Sequence, residues 1–406
     1  MNILIVSQYF WPENFRVNDL SSELVNRGHA VTVLTGVPNY PDGKVFREFK
    51  ECPENYLSYS GVDVIRIPLV ARGKGGLRLI ANYLSFAFMA SILGPIKLRG
   101  KKIDVIFVYE PSPVTVGLPA VLLKYIKKAP VTFWALDLWP ETLEAIGVVN
   151  SKSIIKIIGL LVSFIYNRCD LLLAQSRSFI GYMQRHCKSE STIKYFPSWA
   201  EDNFSNLNVK PADEVPSANS KMFSIMFAGN IGVAQDFPSI LNAAERLKEY
   251  KDIRFLIVGD GRVASWVKKE CSKRGLSENI LLLGSYPVEK MPSFYAATDA
   301  MLLSLKNEDS LNMTIPGKVQ SYMASAKPII GMLNGEGADI LLQSGAGFVG
   351  AAGDSKGLAE NILKMTKLSY QERLNMGMLG RNFYNQEFNK KILIDRLESL
   401  LLSTIN

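Results

Sequence analysis

The sequence predicts an α/β protein built from two Rossmann-like, doubly wound domains facing a cleft. Three observations predict it. Short apolar runs alternate with longer helical patterns along nearly the whole chain, as a parallel sheet covered on both faces requires. The alternation breaks once, over Glu201–Lys221, and then restarts. The 406 residues exceed one ordinary core and suit two.

In the first half the runs are Ile3–Val6, Val31–Leu34, Val62–Ile67, Val105–Tyr109, Val131–Ala135 and Leu171–Ala174. The break is polar, carries Pro211 and Pro216, and has no periodicity, which marks a linker. Beyond it the strands resume as Ser224–Ala228, Arg254–Val258, Ile280–Leu283, Ala300–Leu303 and Pro328–Gly331. The expected domains are residues 1–200 and 223–386, joined by a linker at 201–222. A last helix, 387–406, is expected to cross back to the first domain.

Composition narrows the function. Hydrophobic residues make up 48% and charged residues 21%, as in a folded globular protein. A net charge of +8 calls for an anionic partner: nucleic acid, anionic lipid or a diphosphate. No zinc-finger spacing, aromatic-basic RNA motif or recognition helix is present, so nucleic acid is not expected. Cys52, Cys169, Cys187 and Cys271 are scattered without metal-ligand spacing and read as reduced thiols. With His29 and His186 the only histidines, a multi-histidine metal site is excluded and no metal is expected. Met1–Ser7 begins directly as an apolar strand, without a basic leader or cleavage site, so the protein is expected to stay inside the cell.

Leu79–Ile96 holds no charge and is flanked by Arg72, Lys74 and Arg78 before it and by Lys97, Arg99, Lys101 and Lys102 after it. The strands on either side should share one sheet, so the segment cannot cross a bilayer once. Two readings fit. It is a helix packed on the sheet and ended by Gly94-Pro95, or one of its faces dips into a membrane interface while its basic flanks meet anionic lipid.

Ligands of doubly wound sheets bind at the carboxyl ends of strands. The loop after the first strand, Ser7–Arg16, leads into a helix expected near Val17, whose amino end suits a phosphate. Arg16 would add a bidentate contact there, and Glu13 a hydrogen bond to a sugar hydroxyl. In the turn Asn26–Ala30, Gly28 suits a left-handed cap and His29 reads as structural. Thr35–Gly43 offers Asn39 and a stacking Tyr40. Glu110-Pro-Ser-Pro113 ends the fourth run. Asp137, between Trp134 and Glu141, is the residue of this half expected to touch substrate directly.

In the second half, Gly229 and Gly232 permit close backbone approach to a diphosphate; Gly259-Asp-Gly261 is a weaker signal of the same kind. Pro316 fits the first turn of a helix. Lys318 lies in that turn, where a cation opposes the helix dipole unless an anion is bound. Gln320, half a turn on, is expected to reach a ribose or base.

These residues carry a resemblance. The Tyr9-Phe-Trp-Pro-Glu13 loop, the Arg27-Gly-His29 turn, Asp137-Leu-Trp-Pro-Glu141, Gly229-Asn-Ile-Gly232 and Pro316-Gly-Lys318, followed by Tyr322-Met-Ala-Ser-Ala-Lys-Pro328, resemble glycosyltransferase family 4. Within it the chain is similar to the bacterial O-antigen and capsule N-acetyl-L-fucosaminyltransferases of the WbuB-like group. The resemblance spans essentially the whole chain and implies a GT-B fold, with acceptor bound by the first domain and UDP-sugar donor by the second. It also implies retention of anomeric configuration without a metal, the leaving diphosphate helping to deprotonate the acceptor.

The expected roles are then catalysis for Asp137 and Glu13, donor binding for Arg16, Gly229, Asn230, Lys318, Gln320 and Glu308, and acceptor binding for Asn39, Tyr40 and Glu110. The chain departs from the family pattern in three places. Asn230 and Gln235 stand where an Arg and a Lys are usual, and Ser321 stands where the second of two glutamates is usual, with Glu308 near the first. The expected reaction is transfer of N-acetyl-L-fucosamine from its UDP form to a polyprenyl-diphosphate-linked saccharide. The expected place is the inner face of a bacterial plasma membrane, touched by residues 72–102. A UDP-sugar 2-epimerase or a transferase with another donor remains the rival. A dehydrogenase is disfavoured, since no Gly-x-Gly-x-x-Gly follows the first strand.

Overall fold

The computed structural model describes every residue except 74, 146–150, 189–192, 218–221 and 406. The chain forms two compact units, one of Met1–Phe196 with Ile394–Asn406 and one of Pro197–Leu393.

The first unit holds β1 (Asn2–Val6), β2 (Ala30–Gly36), β3 (Ser58–Tyr59), β4 (Val62–Ile67), β5 (Val105–Glu110), β6 (Val131–Ala135), β7 (Leu171–Ala174) and β8 (Ile193–Tyr195). They pair in the order β3-β4-β2-β1-β5-β6-β7-β8. All pairings are parallel except β3 with β4. Ile3 of β1 aligns with Val31 on one side and Val105 on the other. Every residue of β5, β6 and β7 is buried, which is why these strands read as unbroken apolar runs. The strand order reverses across β1 and β5, so their following loops flank a topological switch point.

The second unit holds β9 (Phe223–Ala228), β10 (Ile253–Val258), β11 (Ile280–Gly284), β12 (Ala300–Ser304), β13 (Ile329–Met332) and β14 (Gly347–Gly350). Their order is β11-β10-β9-β12-β13-β14, all parallel. Here the switch point lies between β9 and β12.

Three differences from the sequence reading have physical causes. The edge strands β3, β8 and β14 were not expected: two are only two and three residues long. The third begins and ends in glycine, which reads as a turn. The stretch expected as a linker, 201–222, instead packs onto the second unit over its described part. Phe204 stacks on Tyr295 with ring centroids 5.2 Å apart, and Arg254 donates to the Pro216 carbonyl at 2.8 Å. Its polarity disguised two anchoring contacts.

The last helix, Lys390–Ile405, begins in the second unit and continues in the first. Leu397 and Leu401 are buried. Arg27 pairs with Asp395 at 2.5 Å and Glu398 at 2.7 Å. His29 meets Glu398 at 2.6 Å. The Arg-Gly-His turn is thus the seat of this helix.

The uncharged segment lies within a helix, Gly76–Lys97, that runs through Pro95 instead of stopping there. The ring removes one amide donor, but the Leu98 amide still reaches the Gly94 carbonyl at 2.9 Å. The helix is long and apolar enough to cross a membrane, yet it connects β4 to β5 within one sheet. Asn82, Tyr83, Phe86, Ala87, Ala90 and Gly94 are buried.

Candidate active site

In the first unit the loops at the carboxyl ends of the strands are welded to one another by buried polar side chains. Glu13, only 2% exposed, accepts the amides of Asn39 and Tyr40 on Oε1, both at 2.7 Å. Its Oε2 accepts the Phe10 amide at 3.2 Å. Burial raises its pKa to about 7, and the three amides oppose the rise. Both oxygens are engaged on the backbone, so the expectation that Glu13 meets a sugar hydroxyl is corrected: it joins the loops after β1 and β2.

Asn39 is likewise buried. Its side chain donates to the Val37 carbonyl at 3.0 Å and accepts the Arg72 amide at 2.9 Å. It therefore shapes the loop that carries Tyr40. Tyr40 is only partly buried and packs against Tyr9 and Phe15, with Arg72 5.2 Å above its ring. Arg66 donates to the carbonyls of Gly36 and Trp11, a second buried tie between the same loops.

Arg16 opens the helix Arg16–Asn26, which starts one residue earlier than expected. Its charge lies near the Tyr109 hydroxyl. Glu110 is fully buried, its carboxyl facing the Asp137 and Leu136 amides, which oppose the effect of burial. Burial and then the neighbouring Asp137 carboxylate push its pKa well up. A carboxyl with no exposed surface does not touch an acceptor, which corrects that expectation too.

Asp137 is half-buried. Its Oδ1 accepts the Leu138 amide at 2.9 Å and the Thr142 hydroxyl at 2.5 Å. Burial raises its pKa, while Thr142 and Ser112 pull the other way. It lies beside Trp139, whose indole donates to Ser112 at 3.2 Å.

In the second unit the loops after β9 and β10 interlock. The Gly229 amide donates to the Val258 carbonyl at 2.8 Å and the Ile231 amide to the Asp260 carbonyl at 2.8 Å. Gly259 adopts φ +142°, and a Cβ there would lie 1.9 Å from the Gly229 carbonyl oxygen. Only glycine fits that approach. Gly259 therefore fixes the close approach of the loops after β9 and β10, which its isolated motif only hinted at.

Lys318 lies in the first turn of the helix Gly317–Ala324, with Pro316 at the N-cap, one position earlier than expected. Its Nζ is 3.5 Å from the centroid of Phe227, and its aliphatic end lies under Gly229, where a Cβ would be 2.7 Å from Cε. Burial lowers its pKa to about 7. Among the described residues no carboxylate forms an ion pair with it. The Tyr322 hydroxyl bridges the Ala228 amide and carbonyl at 3.2 and 3.3 Å, fixing this helix to the end of β9. A cation and helix amides thus converge beside a glycine at φ +131°, an arrangement suited to a phosphate.

The other donor candidates distribute differently. Asn230 is exposed on the same loop, its amide close to Gly232 and Gly261, and at Gly261 a Cβ would also lie 2.5 Å from the Ile231 carbonyl oxygen. Gln235 accepts the Gly232 amide at 3.1 Å. Glu308 is half-buried and caps the short helix Asp309–Met313 without a side-chain bond. Gln320 is 1% exposed and donates back to the carbonyls of Pro316 and Gly317 at 2.9 and 3.0 Å, so it does not reach a ribose. Ser321 donates to the Lys318 carbonyl at 3.1 Å. Sequence reasoning missed the carbonyl-amide tether of Tyr322 and the Asn307–Asn312–Asn334 cluster that joins the loops after β12 and β13.

Two Rossmann-like units, each with ligand-ready loops at its switch point, define the GT-B class of glycosyltransferases. Each half of the chain is similar to a glycosyltransferase family. Residues 14–197 match the family described as glycosyl transferase 4-like domain, and residues 223–367 match glycosyl transferases group 1.

The chain is 25% identical to a probable glycosyltransferase, WbjE, of Pseudomonas aeruginosa, over 79% of this chain and 80% of that one. It is 23% identical to a putative colanic acid biosynthesis glycosyl transferase, WcaI, of Escherichia coli K12, over 80% and 81%. The fold is shared with the crystal structure of Anabaena HepE in complex with UDP and glucose, at TM-score 0.69 and 15% identity, covering 99% and 100% of the two chains.

Proposed function

We propose that this glycosyltransferase moves a sugar, N-acetyl-L-fucosamine in the narrowest reading, from its UDP form to a polyprenyl-diphosphate-linked saccharide in bacterial surface-polysaccharide synthesis. The observation that carries it is Lys318, a largely enclosed cation without a carboxylate partner among the described residues, beside the amino end of Gly317–Ala324 and under Gly229. Such a group is a receptor for a departing diphosphate. The UDP in HepE supports a nucleotide-sugar donor, and the likeness to WcaI, a putative colanic acid biosynthesis enzyme, supports a polysaccharide product.

The chemistry follows from that placement. The acceptor hydroxyl oxygen bonds to the anomeric carbon as the bond from that carbon to the diphosphate breaks. The hydroxyl proton passes to the leaving diphosphate, on the face from which it departs, so configuration is retained. Lys318 and the helix amides hold the charge that develops, in place of a metal. Asp137, beside Trp139 in the first unit, orients the acceptor. Catalysis takes place at the cytoplasmic face of the plasma membrane, where lipid-linked acceptors lie.

The test is UDP release by the purified protein across a panel of UDP-sugars, with and without a lipid-diphosphate GlcNAc acceptor and with EDTA present. Release that needs both substrates and survives EDTA is expected. Release with another donor reassigns the sugar. Release or isomerisation without acceptor overturns the transfer reading.

A further inference from the structure

Three helices of the first unit lie side by side: Gly76–Lys97, Gly117–Lys127 and Lys152–Tyr166. Gly94 of the first sits against Leu123 of the second, and Gly117 of the second against Ile165 of the third. Their inner faces complete the core. Their outer faces are apolar as well. Phe88 is 65% exposed, Tyr125 63%, Ile157 65% and Leu160 64%. On the first helix Leu84, Phe88, Ile92 and Ile96 recur every four residues along one exposed stripe. Isolated exposed hydrophobics are ordinary, but a face shared by three adjacent helices is not.

The charge on these helices has one sign. None of the three contains Asp or Glu, while they carry Arg78, Lys97, Lys127, Lys152 and Lys156, besides a Lys124 that is paired with Asp170 at 2.7 Å. A second copy of the chain seated on this face would bring two basic rims together. An anionic bilayer complements both the apolar centre and the rim.

The reverse side of the first helix is tied to the acceptor loops. Asn82 is fully buried, accepts from Gln8 at 2.7 Å and donates to the Val70 carbonyl at 2.7 Å and to Asn39 at 3.4 Å. Tyr83 packs edge-on against Trp139 with centroids 5.9 Å apart. One helix thus presents lipophilic side chains outward and holds the loops after β1, β2 and β6 inward.

We propose that this three-helix face docks in the plane of an anionic membrane, and that Asn82 and Tyr83 are positioning residues that register the acceptor loops against the docked surface. The proposal rests on the reading of the acceptor as lipid-borne, and extends the contact beyond residues 72–102 to two further helices. A docked face sets the depth at which the loops meet a diphosphate emerging from the bilayer.

The test uses the full chain and vesicles of phosphatidylcholine, alone or mixed with phosphatidylglycerol. The protein is expected to sediment with the mixed vesicles and to be released by salt. A Phe88→Ser/Ile157→Ser/Leu160→Ser variant is expected to lose vesicle binding by about tenfold or more, yet keep its UDP-dependent thermal shift, which reports on the second unit. Wild type that ignores the mixed vesicles, or a triple variant that binds as well, overturns the proposal. So does wild type that is dimeric and becomes monomeric in the variant, since a second copy then covers the face. Asn82→Ala is expected to keep vesicle binding and the KM for donor while the KM for lipid acceptor rises; an unchanged acceptor KM overturns the positioning role. Vesicle binding is read without turnover, so failure of the transfer reaction and failure of docking are separate results.

Discussion

At the scale of single residues, Lys318 makes the sharpest prediction. With its pKa lowered to about 7 by burial, it is charged in the free protein below that pH and neutral above it. A bound diphosphate holds it charged. Binding above neutrality therefore requires proton uptake, and UDP affinity should fall by up to about tenfold per pH unit from 7.5 to 9. Titration calorimetry across that range checks this, and Lys318→Met should flatten the slope while weakening binding by roughly 10- to 100-fold. Gly259→Ala is expected to yield little soluble protein, because its Cβ would sit 1.9 Å from a backbone oxygen that cannot retreat. Soluble, UDP-binding protein in normal yield would contradict this.

Lys318 was legible because a cation in a helix's first turn needs an explanation. Glu13, Asn39, Glu110 and Gln320 were equally visible as polar residues at strand ends. A carboxylate that binds a sugar and one that binds a neighbouring amide have the same sequence signature. Only the fold reveals which way each side chain turns.

At the scale of elements, the buried strands announced themselves through unbroken apolar runs, and β14 did not because Gly347 and Gly350 bracket it. The uncharged helix was legible by length, but its split into a polar-anchored inner face and an apolar outer one was not. Asn82 sits among residues that read as uniformly greasy. Asn82→Ala leaves the amide of Gln8 without its partner, and should cost about 1–3 kcal/mol of stability, measurable by urea unfolding. The seat of the last helix makes a smaller prediction. Glu398→Ala removes partners of both Arg27 and His29. Because those groups are partly solvated, the loss should be about 1 kcal/mol, a melting shift of roughly 2–4 °C that shrinks in high salt. A melt insensitive to the substitution would remove the ion pairs from the account.

At the scale of the whole molecule, the twin α/β organisation was readable from one interruption in a long alternation. The boundary was not, because a polar, proline-bearing stretch looks the same whether it spans solvent or lies along a surface, as the Phe204–Tyr295 stack shows it does. The chain leaves the first unit at Phe196 and rejoins it at Ile394. During synthesis the eight-stranded sheet must therefore wait, with the Arg27–His29 seat vacant, while about two hundred residues of the second unit emerge. The second unit can close as soon as its own residues are available, whereas the first is finished last although it is made first. Loss of the segment after Leu393 should consequently injure the end of the protein farthest from it in sequence and leave UDP binding in place.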